Sequence, residues 1–156
     1  MNTNEKLTGM LNDLISINND RYEGYARLLS RRSPLDKDVC NLLCNLARQS
    51  RLNSAALLIE AVKLRTKTQT GSSFTAGIYS PLLGIKSPLA GTDRTSVLEN
   101  CRHREDLIQK AYYDALSSGI DIPESIAALL ADQKRDMKQA MMQMKSNHLQ
   151  PVSHAA

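Results

Sequence analysis

Four long segments of this chain repeat their apolar residues at spacings of three and four, and this pattern constrains the fold more than any other feature. Such spacing places the apolar side chains on one face of an α-helix. The predicted helices span residues 4–30, 35–66, 93–118 and 122–147. Aromatic residues make up only 4% of the chain, which favours a core of packed helices over a β-sandwich. We therefore predict an all-α fold.

The lengths of the connections predict how the helices are arranged. A few residues near Pro34 join the first two helices, and a few near Gly119 join the last two, so each pair is expected to form an antiparallel hairpin. The connector over residues 67–92 is long enough to run back along a whole helix. These features predict a ferritin-like four-helix bundle, with two hairpins joined by a long crossover. Residues 1–147 would form one domain and residues 148–156 a flexible tail.

The connector contains an apolar cluster among its glycines and prolines. Its members are Phe74, Ile78, Tyr79, Leu82, Leu83 and Ile85. We predict that this cluster forms a short helix that packs against the bundle. The alternative is an exposed apolar surface that binds a protein partner or a second copy in a homodimer.

Six polar side chains are expected inside the core, because a rotation of about 100° per residue places them on the apolar faces or at their edges. They are Asn18, Arg21, Ser50, Asn53, Glu105 and Gln133. All six lie near the midpoints of their helices, which share one depth in an up-down bundle. The sequence therefore predicts a polar belt across an otherwise apolar core, with Gln49 at its margin.

Di-iron proteins hold their metal ligands at this depth of a bundle, so the belt raises the question of a metal site. Such a site needs a Glu from each of two helices and Glu-x-x-His on each of the other two. The sequence contains no Glu-x-x-His, and Glu105 is its one inward carboxylate. Glu23, Glu99 and His103 are predicted to face solvent. We predict no metal site and no cofactor, and an ion or ligand bound in the belt remains the alternative.

The belt favours a hydrogen-bond network instead. A buried Glu without a partner would be costly, and Arg21 is the candidate partner. We therefore predict a buried or half-buried Arg21–Glu105 ion pair, to which Asn18, Asn53 and Gln133 add amide groups. Such a network would fix the register of the helices without any catalytic role.

Cysteine and methionine are expected to serve packing rather than metal binding. Cys40 and Cys44 share one helical face. A Cys-x3-Cys pair without a nearby His has poor spacing for a zinc site. We therefore interpret these two cysteines and Cys101 as small side chains packed among apolar neighbours. Three members of a methionine run near the C-terminus follow the core face, and the run is interpreted as deformable core packing. Its members are Met137, Met141, Met142 and Met144.

The net charge of +4 comes from one part of the chain, residues 31–86, which carry nine basic and three acidic side chains. The prominent basic residues are Arg31, Arg32, Lys37, Arg48, Arg51, Lys63, Arg65 and Lys67. They point in several directions on a helical wheel, which is typical of a solvated surface rather than of a nucleic-acid site. Nucleic acid is therefore not the expected partner.

The cellular location is predicted from the lack of a recognisable membrane span or signal peptide in the sequence. No apolar run approaches the 18 or more residues of a membrane span, and no signal peptide is recognised at Met1. An odd number of cysteines without an export signal indicates free thiols in a reducing compartment. We expect a cytoplasmic protein.

Two motifs resemble a known family. They are the run Leu11-Asn12-Asp13-Leu14-Ile15-Ser16-Ile17-Asn18-Asn19-Asp20-Arg21 with Glu23-Gly24-Tyr25, and the later pattern Asp93-Arg94, Ser96, Leu98, Cys101, Glu105-Asp106, Ala111-Tyr112 and Ala115-Leu116. Together they are similar to an uncharacterised family of small bacterial proteins, known as a domain of unknown function, that folds as a ferritin-like four-helix bundle. The resemblance covers residues 3 to 147.

The resemblance implies the fold and a bacterial source, and it implies no activity. It also implies that relatives tend to carry acidic residues at the positions of Gln49, Asn100 and Arg102, which makes a metal role less expected for this chain. The expected function is therefore a non-enzymatic structural or binding role, with a link to stress suggested by fold-level analogy alone. One alternative is a metal-binding ferritin-like oxidoreductase or storage protein. A second is a binder of an anionic partner through the basic second helix.

Overall fold

A computed structural model describes residues 2–31, 35–67 and 93–149, including the side chains except for residues 66–67 and 147–149. Four helices, α1 (Thr3–Leu29), α2 (Lys37–Lys67), α3 (Arg94–Leu116) and α4 (Glu124–Leu149), make up nearly all of this part of the chain. No strand occurs in these ranges. The all-α prediction is confirmed for them, and each helix end lies within two residues of its predicted position. The connector's apolar cluster and the C-terminal tail from residue 150 lie outside the described residues.

Local sequence signals explain where the helices begin and end. Asn2 caps α1 in a capping box, because its side chain accepts from the Glu5 amide while the Glu5 carboxylate accepts from the Asn2 amide. The second helix begins at Lys37 rather than at residue 35. Between α3 and α4, Gly119 adopts a positive φ of 75°, a conformation that glycine accepts without strain.

The helices pack as two hairpins. The closest packing is between α1 and α2 and between α3 and α4. Within the first hairpin, Ser54 donates to Asn19 and Arg21 donates to Ser50, so α1 and α2 run antiparallel. The two hairpins then meet along α1 and α3 and along α2 and α4. The four helices therefore enclose one core, as a four-helix bundle does.

The contacts between the hairpins fix the directions of the remaining helices. Asn18 contacts Tyr112 and Arg21 contacts Glu105, so α3 runs antiparallel to α1 and parallel to α2. The beginning of α3 lies beside the beginning of α2, where Arg94 forms ion pairs with Asp36 and Asp38. As a result, the C-terminal end of α2 and the N-terminal end of α3 lie at opposite ends of the bundle.

The apolar core consists of two clusters, one towards each end of the bundle. The first includes Leu7, Leu11, Leu14, Leu57, Ile108, Leu130 and Met137. The second includes Tyr25, Leu28, Val39, Leu43, Leu46, Val97, Leu98, Cys101 and Met144. Each cluster draws side chains from all four helices, so the hydrophobic effect holds both hairpins together at both ends.

Two packing expectations can be compared with this core. Met137, Met141 and Met144 are buried as predicted, whereas Met142 is 62% exposed and lies off the core face. Cys101 is buried, but the prediction was wrong for Cys44, which is exposed although Leu43 and Leu46 beside it on α2 are buried. Among the helices that the structure describes, none is both long and apolar enough to cross a membrane.

Candidate functional site: a buried polar network

The structure places all six predicted polar side chains in the core, and no exposed fraction exceeds 8%. They lie between the two apolar clusters and so form the expected belt. Residue spacing within α1 and α2 explains why four of these side chains lie at a similar depth. On α1, Asn18 and Arg21 are three residues apart and share a helical face. The same holds for Ser50 and Asn53 on α2. Helix periodicity and the antiparallel pairing of α1 and α2 thus bring these four side chains to one depth.

The centre of the belt is the ion pair between Arg21 and Glu105, which the sequence predicted. Arg21 Nε donates to Glu105 Oε1 at 2.7 Å and Arg21 Nη2 donates to Oε2 at 3.0 Å. Both side chains are 0% exposed. The guanidinium and the carboxylate therefore meet in the two-point geometry that gives Arg–carboxylate pairs their strength and direction.

The remaining N–H groups of Arg21 bind the second helix. Nη1 donates to Ser50 Oγ at 3.0 Å and to the Leu46 carbonyl at 3.4 Å, while Nη2 donates to Gln49 Oε1 at 2.7 Å. Together with the two bonds to Glu105, these contacts use all five N–H groups that a guanidinium offers. One side chain of α1 thereby ties α2 to α3.

Tyr25, one turn after Arg21 on α1, adds a second donor to the carboxylate. Its hydroxyl donates to Glu105 Oε1, and its ring lies 5.8 Å from the Arg21 guanidinium carbon. Oε1 therefore accepts from two donors and Oε2 from one. All three of these hydrogen bonds come from side chains of α1, and the carboxylate itself has no exposed surface.

A second group of the belt is built from amides and a phenol. Asn18 Nδ2 donates to the Leu14 carbonyl and to the Tyr112 hydroxyl, both at 2.8 Å. That hydroxyl donates in turn to Gln133 Oε1 at 2.8 Å. Asn53 closes the group, because its side chain donates to Asn18 Oδ1 and its carbonyl accepts from Gln133, each at 3.3 Å. This chain of bonds joins all four helices at one level.

Burial and the neighbouring charges shift the acid–base properties of the belt. Burial tends to lower the pKa of Arg21, but the charge of Glu105 and its hydrogen bond raise the pKa above its usual value. Burial, reinforced by the charge of Glu105, raises the pKa of Tyr25 well above its usual range and that of Cys101 to about 12. Burial likewise raises the pKa of Tyr112. Arg21 therefore stays protonated, and the phenols and the thiol stay neutral, throughout the physiological range.

Sequence reasoning missed the two tyrosines as members of the network. Helical periodicity places Tyr25 on the apolar face of the first helix and Tyr112 on that of the third, which does not show that their hydroxyl groups take part in the belt; both are 0% exposed. The available signal is chemical, since a buried phenol needs a hydrogen-bond partner for its hydroxyl. Each tyrosine also lies within one or two turns of a polar belt residue on its own helix, namely Arg21 for Tyr25 and Glu105 for Tyr112.

A glycine next to the network leaves space for an arginine side chain of α3. Gly24 on α1 is buried, and a Cβ atom there would lie 1.8 Å from Nη1 of Arg104 on α3. The missing side chain thus leaves room for Arg104 beside the belt. This explains why a glycine, a poor helix former, stands inside α1.

Among the described residues outside the belt, the charged side chains form no cluster suited to a metal ion. Glu23, Glu99 and His103 are exposed, as predicted. Across the described ranges, no group of three or more His, Cys, Asp or Glu side chains is arranged to hold a metal ion. The basic residues of α2 are partly engaged within the chain, since Arg51 lies 3.9 Å above the Tyr22 ring and Lys63 forms an ion pair with Glu60.

Comparison with known proteins identifies a family and no closer relative. No curated protein and no solved structure matches the chain significantly. The model of one family, described as a domain of unknown function (DUF2383), matches residues 6–118. This range contains α1, α2 and α3, and hence Arg21, Ser50 and Glu105 at the centre of the belt. Because the match covers more than two thirds of the sequence, the chain belongs to the DUF2383 family of domains of unknown function.

Proposed function

We propose that this protein is a non-enzymatic helical module with a structural or binding role, which acts through its outer surface. The observation that carries the proposal is the saturation of the belt: all five N–H groups of Arg21 and both oxygens of Glu105 have partners within the chain. A catalytic acid or base must come within hydrogen-bond reach of a substrate. Glu105 is 0% exposed, so its contribution is to hold three helices together.

The residues of the belt do not fit a di-metal centre. That centre needs carboxylates from all four helices and two His side chains. In the part of the chain that the structure describes, Glu105 is the one buried carboxylate, and Arg21 and Tyr25 occupy its oxygens. A metal ion there would have to displace a guanidinium that makes five hydrogen bonds. We derive no reaction through a metal, and the oxidoreductase and storage roles are not part of the proposal.

The proposed architecture is the ferritin-like one, with a crossover over residues 68–92. It is supported by the directions of the described helices, because α2 ends at one end of the bundle and α3 begins at the other. The ion pairs of Arg94 with Asp36 and Asp38, which hold the beginning of α3 beside the beginning of α2, support the same arrangement. We also propose a bacterial source and a cytoplasmic location, the latter supported by the free thiols of Cys40, Cys44 and Cys101.

Native mass spectrometry of the protein, purified from its host without chelators, tests the proposed role. The expected mass is that of the chain or of an integer multiple, unchanged by prior treatment with EDTA. Additional mass that matches iron, another metal or an organic molecule would overturn the proposal if it disappears in the variant Glu105→Gln. Additional mass that persists in this variant would locate the ligand outside the belt, and a bound protein chain would identify the partner directly.

A further inference from the structure

The second half of α2 is apolar on two opposite faces. Its inner face contributes Leu57, Ala61 and Leu64 to the core. Its outer face carries Leu52, Ala55, Ile59 and Val62, which we call the outer stripe. In the outer stripe, Leu52 is 61% exposed, Ile59 56% and Val62 49%.

The spacing of the outer stripe indicates a surface that packs against another segment. Steps of three, four and three residues place its side chains in one row along the helix, directly opposite the core face. A helix that is apolar all round is normally buried, and contiguous exposed apolar residues mark contact surfaces. None of the helices α1, α3 and α4 covers this row. Another part of the chain, or another molecule, is therefore needed to cover it.

The residues that flank the segment 68–92 lie at opposite ends of α2. α2 ends at Lys67, one to two turns beyond Val62, and the chain re-enters the described structure at Asp93, next to the beginning of α2. Residues 68–92 must therefore return over the length of α2, which is about 45 Å at a rise of 1.5 Å per residue. A chain of about 25 residues reaches roughly 85 Å when extended, so it can make this return with length to spare for a short helix.

The order of residues in this segment matches such a path. Residues 68–73 are polar or small and can form the turn after α2. The apolar residues Phe74, Ile78, Tyr79, Leu82, Leu83 and Ile85 then follow in the middle of the segment. A stretch that begins with Lys86 and contains Pro88 and Gly91 leads to Asp93. We propose that residues 74–85 of this chain pack against the outer stripe of α2 and cover it.

Charge favours this occupant over a second copy of the chain. Arg48 and Arg51 flank the outer stripe towards its beginning, and Arg65 flanks it towards its end. Two copies of α2 paired through the stripe, parallel or antiparallel, would bring these like charges together. Residues 68–92 contain a single charged side chain, Lys86, outside the apolar part. They can therefore cover the stripe without bringing a second basic row next to it.

Tryptophan fluorescence tests the proposal, because the chain contains no Trp. A Phe74→Trp variant has one emitter, and Leu82→Trp provides a second, independent reporter. At least one reporter is expected to show blue-shifted emission and protection from acrylamide. Introducing Ile59→Asp with Val62→Asp should shift that emission to the wavelength of exposed Trp, with unchanged helical circular dichroism, since both side chains are exposed on α2.

The matched control adds the same two charges elsewhere on the outside of α2. Asn41→Asp with Asn45→Asp should leave the emission blue-shifted, because both exposed residues precede the outer stripe. The proposal is overturned if both reporters emit as exposed Trp, or if the aspartates at 59 and 62 leave a buried reporter unchanged. A blue shift that depends on protein concentration, together with a doubled mass in sedimentation, would overturn it in favour of a second copy.

Discussion

Two clusters pair an Arg with one or two carboxylates from a distant part of the chain, and they differ in their exposure to water. In the belt, Arg21 and Glu105 meet at 2.7 Å with both side chains 0% exposed. At one end of the bundle, Arg94 contacts Asp36 at 2.9 Å and Asp38 at 2.6 Å, with the three side chains 25%, 61% and 51% exposed. The distances in the two clusters are alike, whereas their exposure to water differs greatly.

The difference shows that the contribution of an ion pair depends on what remains when one partner is removed. At the bundle end, water and salt solvate the remaining charge, so little free energy is lost. In the belt, the remaining charge is enclosed by apolar clusters and cannot be solvated. We therefore expect the Arg21–Glu105 pair to be needed for a single, well-defined packing of the helices. The Arg94 cluster is expected only to orient the beginnings of α2 and α3.

The largest expected effect is that of removing the belt carboxylate. Glu105→Leu leaves the Arg21 guanidinium buried without its counter-charge, and we expect the free energy of unfolding to fall by about 3–5 kcal/mol. Urea unfolding followed by circular dichroism measures this change. A loss below about 1 kcal/mol would mean that the buried pair behaves like a surface pair, and the contrast between the two regions would not hold.

The double variant Arg21→Met with Glu105→Leu is the control for this experiment. It removes both charges and replaces them with apolar side chains of similar length, so it should be more stable than Glu105→Leu alone. Equal instability of the two variants would locate the cost in lost packing rather than in the unpaired charge. Comparing both with Arg21→Met alone completes a double-mutant cycle for the coupling of the pair.

A smaller effect is expected from the phenol that supports the carboxylate. Tyr25→Phe removes one donor to Glu105 Oε1 while Arg21 keeps its two bonds, and hydrogen bonds to charged groups contribute about 1.5–3 kcal/mol. The same urea experiment should therefore show a loss in that range. Tyr113→Phe is the matched control, because Tyr113 is 61% exposed and its change should stay within about 0.5 kcal/mol.

At the exposed cluster, Arg94→Ala should lower the free energy of unfolding by less than about 1 kcal/mol. This difference should shrink further as NaCl is raised to about 1 M, because salt screens exposed charges. The loss caused by Glu105→Leu should change little over the same range, since salt ions do not reach the belt. If the loss of stability caused by Arg94→Ala does not change with the NaCl concentration, the proposed difference between the exposed and the buried cluster is wrong.

The smallest effect is a pH dependence of the exposed cluster. Hydrogen bonds from Arg94 hold the pKa of Asp38 below its usual value. A carboxylate whose pKa is lowered by folding stabilises the native state above the unfolded value of about 3.9, and this contribution is lost as the pH falls through the lowered pKa. Between pH 5 and acidic conditions, the wild type should therefore lose more stability than Arg94→Ala. If the urea midpoints of the two proteins change equally with pH, the Arg94–Asp38 pair contributes nothing to this pH dependence.

Much of the belt could be predicted because helical periodicity is a local property. A step of about 100° per residue determines that Asn18, Ser50 and Glu105 face inward once the apolar residues around them are known. The same reasoning failed for a side chain that has both an apolar and a polar part. Tyr25 counted as apolar although its hydroxyl completes the network. The outer stripe of α2 was not recognised either, because apolar residues on two faces weaken a single periodic signal.

The sequence by itself determined the four helices, their inward faces and the depth of the six polar side chains, since these follow from contacts within a few residues of one another. The sequence also predicted the Arg21–Glu105 pair. Only the tertiary structure decided the other partners: Arg21 also binds Ser50, and Tyr112 lies between Asn18 and Gln133. These partners are about 20 to 95 residues apart in sequence. Their distances depend on how all four helices pack at once, which no local pattern specifies.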